Sequence, residues 1–188
     1  MAREGITLSG DLAQPGDIFL LSGTIRDLGM AELSQCENLT FDAPIVSDTA
    51  ALHGLVAAML DSGVKLRVLR DPSRGGLAAT LNEIAKQSGV GIMLHESAIA
   101  VNQPVEAACA FLGLDPLYVA NEGKLVAICV LENAGRLLEV MRAHPLAHEA
   151  VIIGEITKGA NGFVQMVTKL GGRRIVDWLE GEQLPRIC

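Results

Sequence analysis

Three short stretches of this 188-residue chain carry residue types that can do chemistry. The first is its end, Leu184-Pro185-Arg186-Ile187-Cys188. Gly181 closes the element that carries Trp178 and Leu179, because glycine readily takes the left-handed conformation that ends helices. Pro185 then forbids helix and pushes Leu184 towards an extended backbone. The expectation is a short extended arm with a thiol at its tip. The nine residues beyond Leu179 reach roughly 30 Å when fully drawn out. A thiol on such an arm can be modified at one site and delivered to another. The plainer alternative is a frayed chain end whose last residue has no role.

The second stretch, Asp71-Pro72-Ser73-Arg74-Gly75-Gly76, follows an apolar alternation and opens a helical pattern. Free N–H groups at a helix start attract anions, glycines let a phosphate come close, and Arg74 adds a planar cationic fork. The alternative is a plain turn in which Asp71 or Ser73 caps the helix. The third stretch, Asn121-Glu122-Gly123-Lys124, precedes the most apolar run of the chain. A carboxylate at the mouth of a buried strand loses water and becomes a better base. The alternative is a polar turn with Glu122 and Lys124 both in water. The four histidines, His53, His95, His144 and His148, show no metal-like spacing. Pro145 breaks the register that would align His144 with His148.

The elements that must hold these stretches are legible from periodicity. Residues 17–21 read as a buried strand, and 23–36 as a loop passing into a helix. Residues 49–60 are rich in Ala and Leu and read as a helix with Asp48 as N-cap and Asp61-Ser62-Gly63 as its stop. Strands are expected over 65–70, 90–94, 125–131, 151–157, 163–168 and 173–178. The one over 125–131, being the most apolar, is expected to be central. Helices are expected over 76–87, 104–112 and 134–143. Turns at 159–162 and at Gly171-Gly172 suggest two hairpins. Strands and helices alternate early and strands cluster late, which implies a mixed sheet with helices laid on it.

Composition narrows the class. Apolar residues make up 49% and charged residues 20%, which argues for a folded chain. Aromatic residues are scarce at 3%, so Ala, Val, Leu and Ile must build the core. The formal net charge is -7, and there is no basic stripe or aromatic platform for nucleic acid. No apolar run approaches the ~18 residues that span a bilayer, and no apolar segment of a signal peptide follows Met1-Ala2-Arg3-Glu4. Cys36, Cys109, Cys129 and Cys188 lie far apart with no C-x-x-C pair, against zinc and against a disulfide framework. Cys109 and Cys129 fall within apolar patterns and read as buried small hydrophobes. A reducing cytoplasm is the expected compartment.

The C-terminal Pro-Arg-Ile-Cys resembles the ending of the HypE family of hydrogenase maturation factors, which help make the cyanide ligands of [NiFe]-hydrogenase. Residues 71–76 are similar to that family's D-[AP]-[ST]-R-G-G, and Asn121-Glu122-Gly123-Lys124-Leu125 to its N-E-G-K-[LF]. Residues 22–29 resemble its S-G-T-[IL]-G-D-H-G, but Arg26 stands in place of a glycine and Leu28 in place of a histidine. The resemblance therefore assigns no nucleotide or substrate role to that stretch, although Asp27 is retained. It covers essentially the whole chain but only the C-terminal half of the family. The family's other half, expected to carry most of the ATP and magnesium site, is absent from this sequence. No cofactor is expected to bind this chain tightly.

The resemblance implies an α+β fold, a layered α/β/α domain with a mixed sheet similar to the C-terminal domain of aminoimidazole ribonucleotide synthetase. It implies one domain over residues 1–180 and an extended tail over 181–188. It also implies roles: Cys188 as carrier of a carbamoyl group, Glu122 as the base, and Arg74, Gly75, Gly76, Asp71 and Asn121 lining the nucleotide side. Expected partners are a carbamoyltransferase and the scaffold complex that assembles the iron centre. Two readings follow: part of an ATP-dependent dehydratase, inactive alone, or a non-enzymatic carrier and docking module. A sibling acting on another small amide or phosphate acceptor is a third, and the terminal cysteine argues against it. Leu184 and Ile187 bury too little to offset ordering a backbone at roughly 1–2 kcal/mol per residue, so the arm is expected to be mobile or weakly held.

Overall fold

The computed structural model describes residues 6–25, 49–159 and 162–178. These form one mixed sheet of seven strands: β1 (Ile18–Leu21), β2 (Leu66–Arg70), β3 (Gly91–His95), β4 (Val126–Cys129), β5 (Val151–Thr157), β6 (Val164–Val167) and β7 (Arg173–Ile175). Their order is β2-β4-β1-β5-β3-β6-β7. Neighbours are antiparallel except β3 and β6, which run parallel. Four α-helices lie among the described residues: α1 (His53–Asp61), α2 (Gly76–Ser88), α3 (Gln103–Leu112) and α4 (Ala134–Arg142).

Alternation along the strands sends apolar side chains to both faces, so helices must cover both. On one face, Leu77, Leu81 and Ile84 of α2 pack onto Phe19, Leu21, Val126, Ile128, Ile92 and Val164. On the other, Leu55 and Met59 of α1 with Leu137 and Met141 of α4 pack onto Leu20, Ala127 and Cys129. The result is the α/β/α layering expected. Each fully buried Leu, Ile or Phe contributes about 1.5–3 kcal/mol, so these two clusters dominate stability.

Several expectations are corrected. Strand β4 is second from the β2 edge, not central. Its unbroken apolarity reflects burial on both faces, with Val126 and Ile128 in one core and Ala127 and Cys129 in the other. The 159–162 turn is not a hairpin, because β3 lies between β5 and β6. The chain leaving β5 passes the start of β3 so closely that a Cβ on Gly159 would stand 2.9 Å from the Cα of Gly91. The hairpin at Gly171-Gly172 is present, joining β6 to β7. Helix α1 starts at His53, where the carbonyl of Leu52 accepts from Val56 N at 2.9 Å. Ala51 is exposed and gives an earlier turn nothing to pack against. His53 itself is exposed at the helix start. Asp48 as N-cap and the loop-to-helix reading of 26–36 lie outside the described residues.

Among the described residues no helix is long and apolar enough to cross a membrane, and no group of three His, Cys, Asp or Glu side chains is placed to hold a metal ion. His144 and His148 instead cap one turn: His144 Nδ1 accepts from Leu146 N, and His148 Nδ1 lies 3.1 Å from the Pro145 carbonyl.

Cys109 and Cys129 are both free and buried. Burial first, and the charge of Asp17 second, push the Cys129 thiol up to about 12. Only roughly one part in ten thousand is then thiolate at pH 8. Iodoacetamide at that pH is expected to label Cys188 first and to leave Cys109 and Cys129 unlabelled until denaturant is added. Timed labelling with peptide mapping checks this, and labelling of Cys129 as fast as Cys188 under native conditions contradicts it.

Candidate functional site

Strand register brings the three internal motifs together. Leu21, the last residue of β1, pairs with Val126, the first of β4. Arg70, the last residue of β2, pairs with Val126 from the other side. The loops that follow Leu21 and Arg70, and the one that precedes Val126, therefore leave the sheet at one end. These loops begin with Ser22-Gly23-Thr24-Ile25, run through Asp71 to Gly76, and run through Asn121 to Leu125.

Hydrogen bonds tie the loops to one another. Ser22 N donates to the Leu125 carbonyl at 3.0 Å, and Leu125 N donates to Ser22 Oγ at 2.9 Å. Ser22 is fully buried, so both contacts form away from water, where an unpaired polar group is costly. Asn121 N donates to the Pro72 carbonyl at 3.2 Å, and Asn121 Nδ2 to the Val119 carbonyl at 2.9 Å. Asn121 is 1% exposed, and it joins the second and third motifs. The side chain of Lys124 lies along Gly23, with Nζ 3.6 Å from where a Cβ on Gly23 would stand.

The start of α2 does not follow the capped-turn alternative. Its N-cap position is Gly75, with φ 70 and no side-chain cap. Ser73 Oγ donates to the Asp71 carboxylate instead, while the Ser73 carbonyl accepts from Gly76 N at 3.2 Å. Gly76 has φ 64, and a Cβ there would lie 2.5 and 2.6 Å from the carbonyl oxygens of Val119 and Leu117. Both glycines are thus required, one for a left-handed start and the other for close approach of the 116–119 turn. Arg74 is exposed beside them and, among the described residues, makes no ion pair.

Glu122 is exposed, as in the polar-turn alternative and not as at a desolvated strand mouth. Asn121 and Leu125, on either side of it, are buried, and Gly123 and Lys124 are half-buried. Cys188 and Arg186 lie outside the described residues. Residue-type reasoning overlooked Tyr118, in the turn that presses on Gly76. Burial, the nearby Asp115 and then Asp177 raise its hydroxyl above the usual range, outweighing Arg174 and the bond to the Asp177 carbonyl. Its one sequence signal is being the only tyrosine in the chain.

Residues 14–167, which include all three internal motifs, match the family described as AIR synthase related protein, C-terminal domain. The chain belongs to that family. Among curated relatives, this AIR-synthase-related chain is 64% identical over 184 residues to the carbamoyl dehydratase HypE of Azotobacter vinelandii. That match covers 98% of this chain and 54% of the relative, so the chain spans about half the length of the curated relatives it matches. Among solved structures, it is similar to hydrogenase maturation protein HypE in complex with ATP, with a TM-score of 0.90 and 46% identity. That likeness covers 96% of this chain and 55% of that one. It is similar in the same way to a HypE–HypF complex, with a TM-score of 0.89 and 46% identity over 94% of this chain and 57% of that one.

Proposed function

We propose that this chain is the carrier and site-lining half of a HypE-type carbamoyl dehydratase of hydrogenase maturation, with Cys188 bearing the group that is dehydrated. The observation that carries the reading is the convergence of three motifs, far apart in sequence, at one end of the sheet. The 64% identity to a carbamoyl dehydratase over 98% of the chain supports it.

A carboxamide on a cysteine sulfur becomes a thiocyanate when its oxygen leaves as phosphate and both N–H protons are removed, the carbon–sulfur bond staying intact. ATP supplies the phosphoryl group that makes the oxygen a leaving group. The start of α2 suits an anion of that kind: it is uncapped by any side chain, two glycines open it, and Arg74 stands beside it. Asp71 shapes this loop through Ser73. Glu122 is the proton acceptor, and the buried Asn121 next to it fixes the turn from which it projects. Among the described residues no group of three His, Cys, Asp or Glu side chains is placed to hold a metal ion, and no step is routed through magnesium. Arg186, two residues before Cys188, favours its thiolate.

Two facts favour a second reading for the chain on its own, as a carrier and docking module without turnover. It spans about half of its curated relatives, and Glu122 is exposed. The half it does not span would cover this end and remove water from Glu122. The HypE–HypF complex supports a carbamoyltransferase as the loading partner; an iron-centre scaffold is the proposed acceptor, in the cytoplasm.

The test supplies the chain with a carbamoyltransferase and carbamoyl donor, with or without ATP and the N-terminal half of the Azotobacter vinelandii relative. Mass spectrometry of the C-terminal peptide is expected to find carboxamide without that half and thiocyanate only with it. Thiocyanate formed without the added half sinks the division of labour. Absence of carboxamide in every combination sinks the reading itself.

A further inference from the structure

A second recess opens at the end of the sheet where the motifs meet. Strands β3 and β6 run in the direction of β1, so the segments that leave His95 and Val167 emerge at the same end as the loop after Leu21. Ile25 N donates to the Ala100 carbonyl at 3.2 Å and ties that loop to the segment after β3. The recess is a cleft of about 50 Å³, room for roughly three to five water-sized groups. It shares Leu117 with the contact on Gly76, but none of Asp71, Arg74, Gly75, Gly76, Asn121 and Glu122 lines it.

Its floor is apolar, since Ile99, Leu117 and Met166 are buried members of the core beneath α2. Its rim carries both signs of charge, sorted by element. The carboxylates are Glu96, in the short helical turn Glu96–Ala98, and Glu106 of α3. The cations are Lys169, just after β6, and Arg174 of β7. Lys169 N donates to Glu96 Oε2 at 2.8 Å. Lys169 Nζ stands 3.6 Å from Glu106 Oε1, with the two side chains 60% and 57% exposed. A pair that long and that wet is weak and yields to a better partner. Arg174 commits Nη1 to Asp115 Oδ2 at 2.7 Å, and a guanidinium carries five N–H donors, so a second acceptor can be held. A lone anion in this cleft would meet Glu96 and Glu106, and a lone cation would meet Lys169 and Arg174. A molecule with both charges and a small apolar group satisfies the whole rim and the floor together.

We propose that this cleft binds a small zwitterion of the α-amino acid class. Its carboxylate lies on Lys169 and Arg174, its ammonium on Glu106 and Glu96, and its aliphatic side chain on Ile99, Leu117 and Met166. The alternative is that the rim charges only pair with one another and close the surface, in which case nothing binds.

The test titrates L-alanine into the full chain and follows the amide NMR signals of Leu117 and Lys169. Saturation with a Kd on the order of 1 mM is expected, an ordinary affinity for a ligand of so few atoms. Propionate lacks the ammonium and ethylamine lacks the carboxylate. Each is expected to bind at least about tenfold more weakly, because a hydrogen bond to a charged group is worth at least that factor. Glu106→Gln and Lys169→Met each remove one rim charge, and both side chains are more than half exposed, so the variants fold. Each is expected to weaken L-alanine binding about tenfold. Glu139→Gln makes the same change in net charge as Glu106→Gln, from an exposed position on α4, which covers the opposite face of the sheet. It is expected to leave binding as it was. The proposal is overturned if L-alanine does not saturate the signals, if propionate or ethylamine binds as well, or if either rim variant binds as the parent does. A loss in Glu139→Gln equal to that in Glu106→Gln overturns it too, since net charge and not the cleft would then govern binding. The titration involves no ATP, thiol chemistry or partner, so its failure leaves the dehydratase reading where it stands.

Discussion

Glu122→Gln is expected to stop thiocyanate formation while Cys188 is still loaded with carboxamide. The two events need different groups. Loading needs the thiol, whereas dehydration needs a group to accept the amide protons. A positioned general base contributes typically about 10²–10⁴-fold, so the dehydration rate should fall by that factor. Glu122 is exposed and outside both core clusters, so its replacement should change stability by no more than about 0.5 kcal/mol. Cys188→Ser should instead remove loading altogether, and with it every later step. The pair is measured in the combined system with the N-terminal half present, by mass spectrometry of the C-terminal peptide over time. If Glu122→Gln dehydrates at the parent rate, Glu122 is not the base and the exposed turn is only a turn.

Gly76→Ala is expected to be among the most destabilising single substitutions in the chain. Two penalties add at that position. The residue has φ 64, a left-handed conformation that costs a residue with a side chain about 1–2 kcal/mol. The new Cβ would also sit 2.5, 2.6 and 2.9 Å from Val119 O, Leu117 O and Tyr118 C. All three are backbone atoms, which no rotamer change can move aside. Either the 116–119 turn lifts away or the helix start shifts, and the Asn121–Pro72 tie goes with it. A loss of about 3 kcal/mol or more is expected, out of a total of about 5–15 kcal/mol. Gly63→Ala serves as reference, since Gly63 has φ 72 and nothing within 4 Å of its Cβ position. Gly75→Ala should fall between, because its Cβ would meet only the Ala79 side chain, at 2.7 Å. Urea unfolding midpoints rank the three. Equal midpoints for Gly76→Ala and Gly63→Ala would show that the turn yields freely, and the close approach would then carry no weight.

Much of this molecule is legible in its residues because the signals are local. The helix over 76–87 and the helix α2 observed at Gly76–Ser88 agree closely: an amphipathic pattern of Leu77, Leu81 and Ile84 sits between glycines, and that pattern needs no knowledge of the rest of the chain. The strand at Ile18–Leu21 and the Gly171-Gly172 hairpin were equally accessible. The buried cysteines followed from the apolar runs around them.

The failures share one cause: they concern who lies beside whom. Apolarity told that β4 is buried, but a strand covered on both faces reads the same at any place in the order, so its position near the β2 edge was invisible. The link after β5 looked like a hairpin because its glycines suit a turn. Yet Gly91 and Gly159 are glycines because two backbones pass within touching distance, a demand that appears only once β3 lies between β5 and β6. Its neighbours in sequence leave Glu122 open to two readings, a desolvated strand mouth or a polar turn in water, because solvation depends on what lies over the turn; among the described residues it is exposed. The three motifs, the cysteine at position 188 and the succession of strands and helices that makes a mixed sheet are readable residue by residue. That residues 22–25, 71–76 and 121–125 meet is a property of the fold, because it rests on Leu21 and Arg70 pairing with the same Val126 across the sheet. So are the bonds that tie Val176 to Asn82 of α2 and Asp177 to Tyr118 of the turn packed on the start of that helix. Hydrogen bonds between residues fifty to a hundred positions apart leave no periodic trace in a sequence, since either partner alone is an ordinary polar residue.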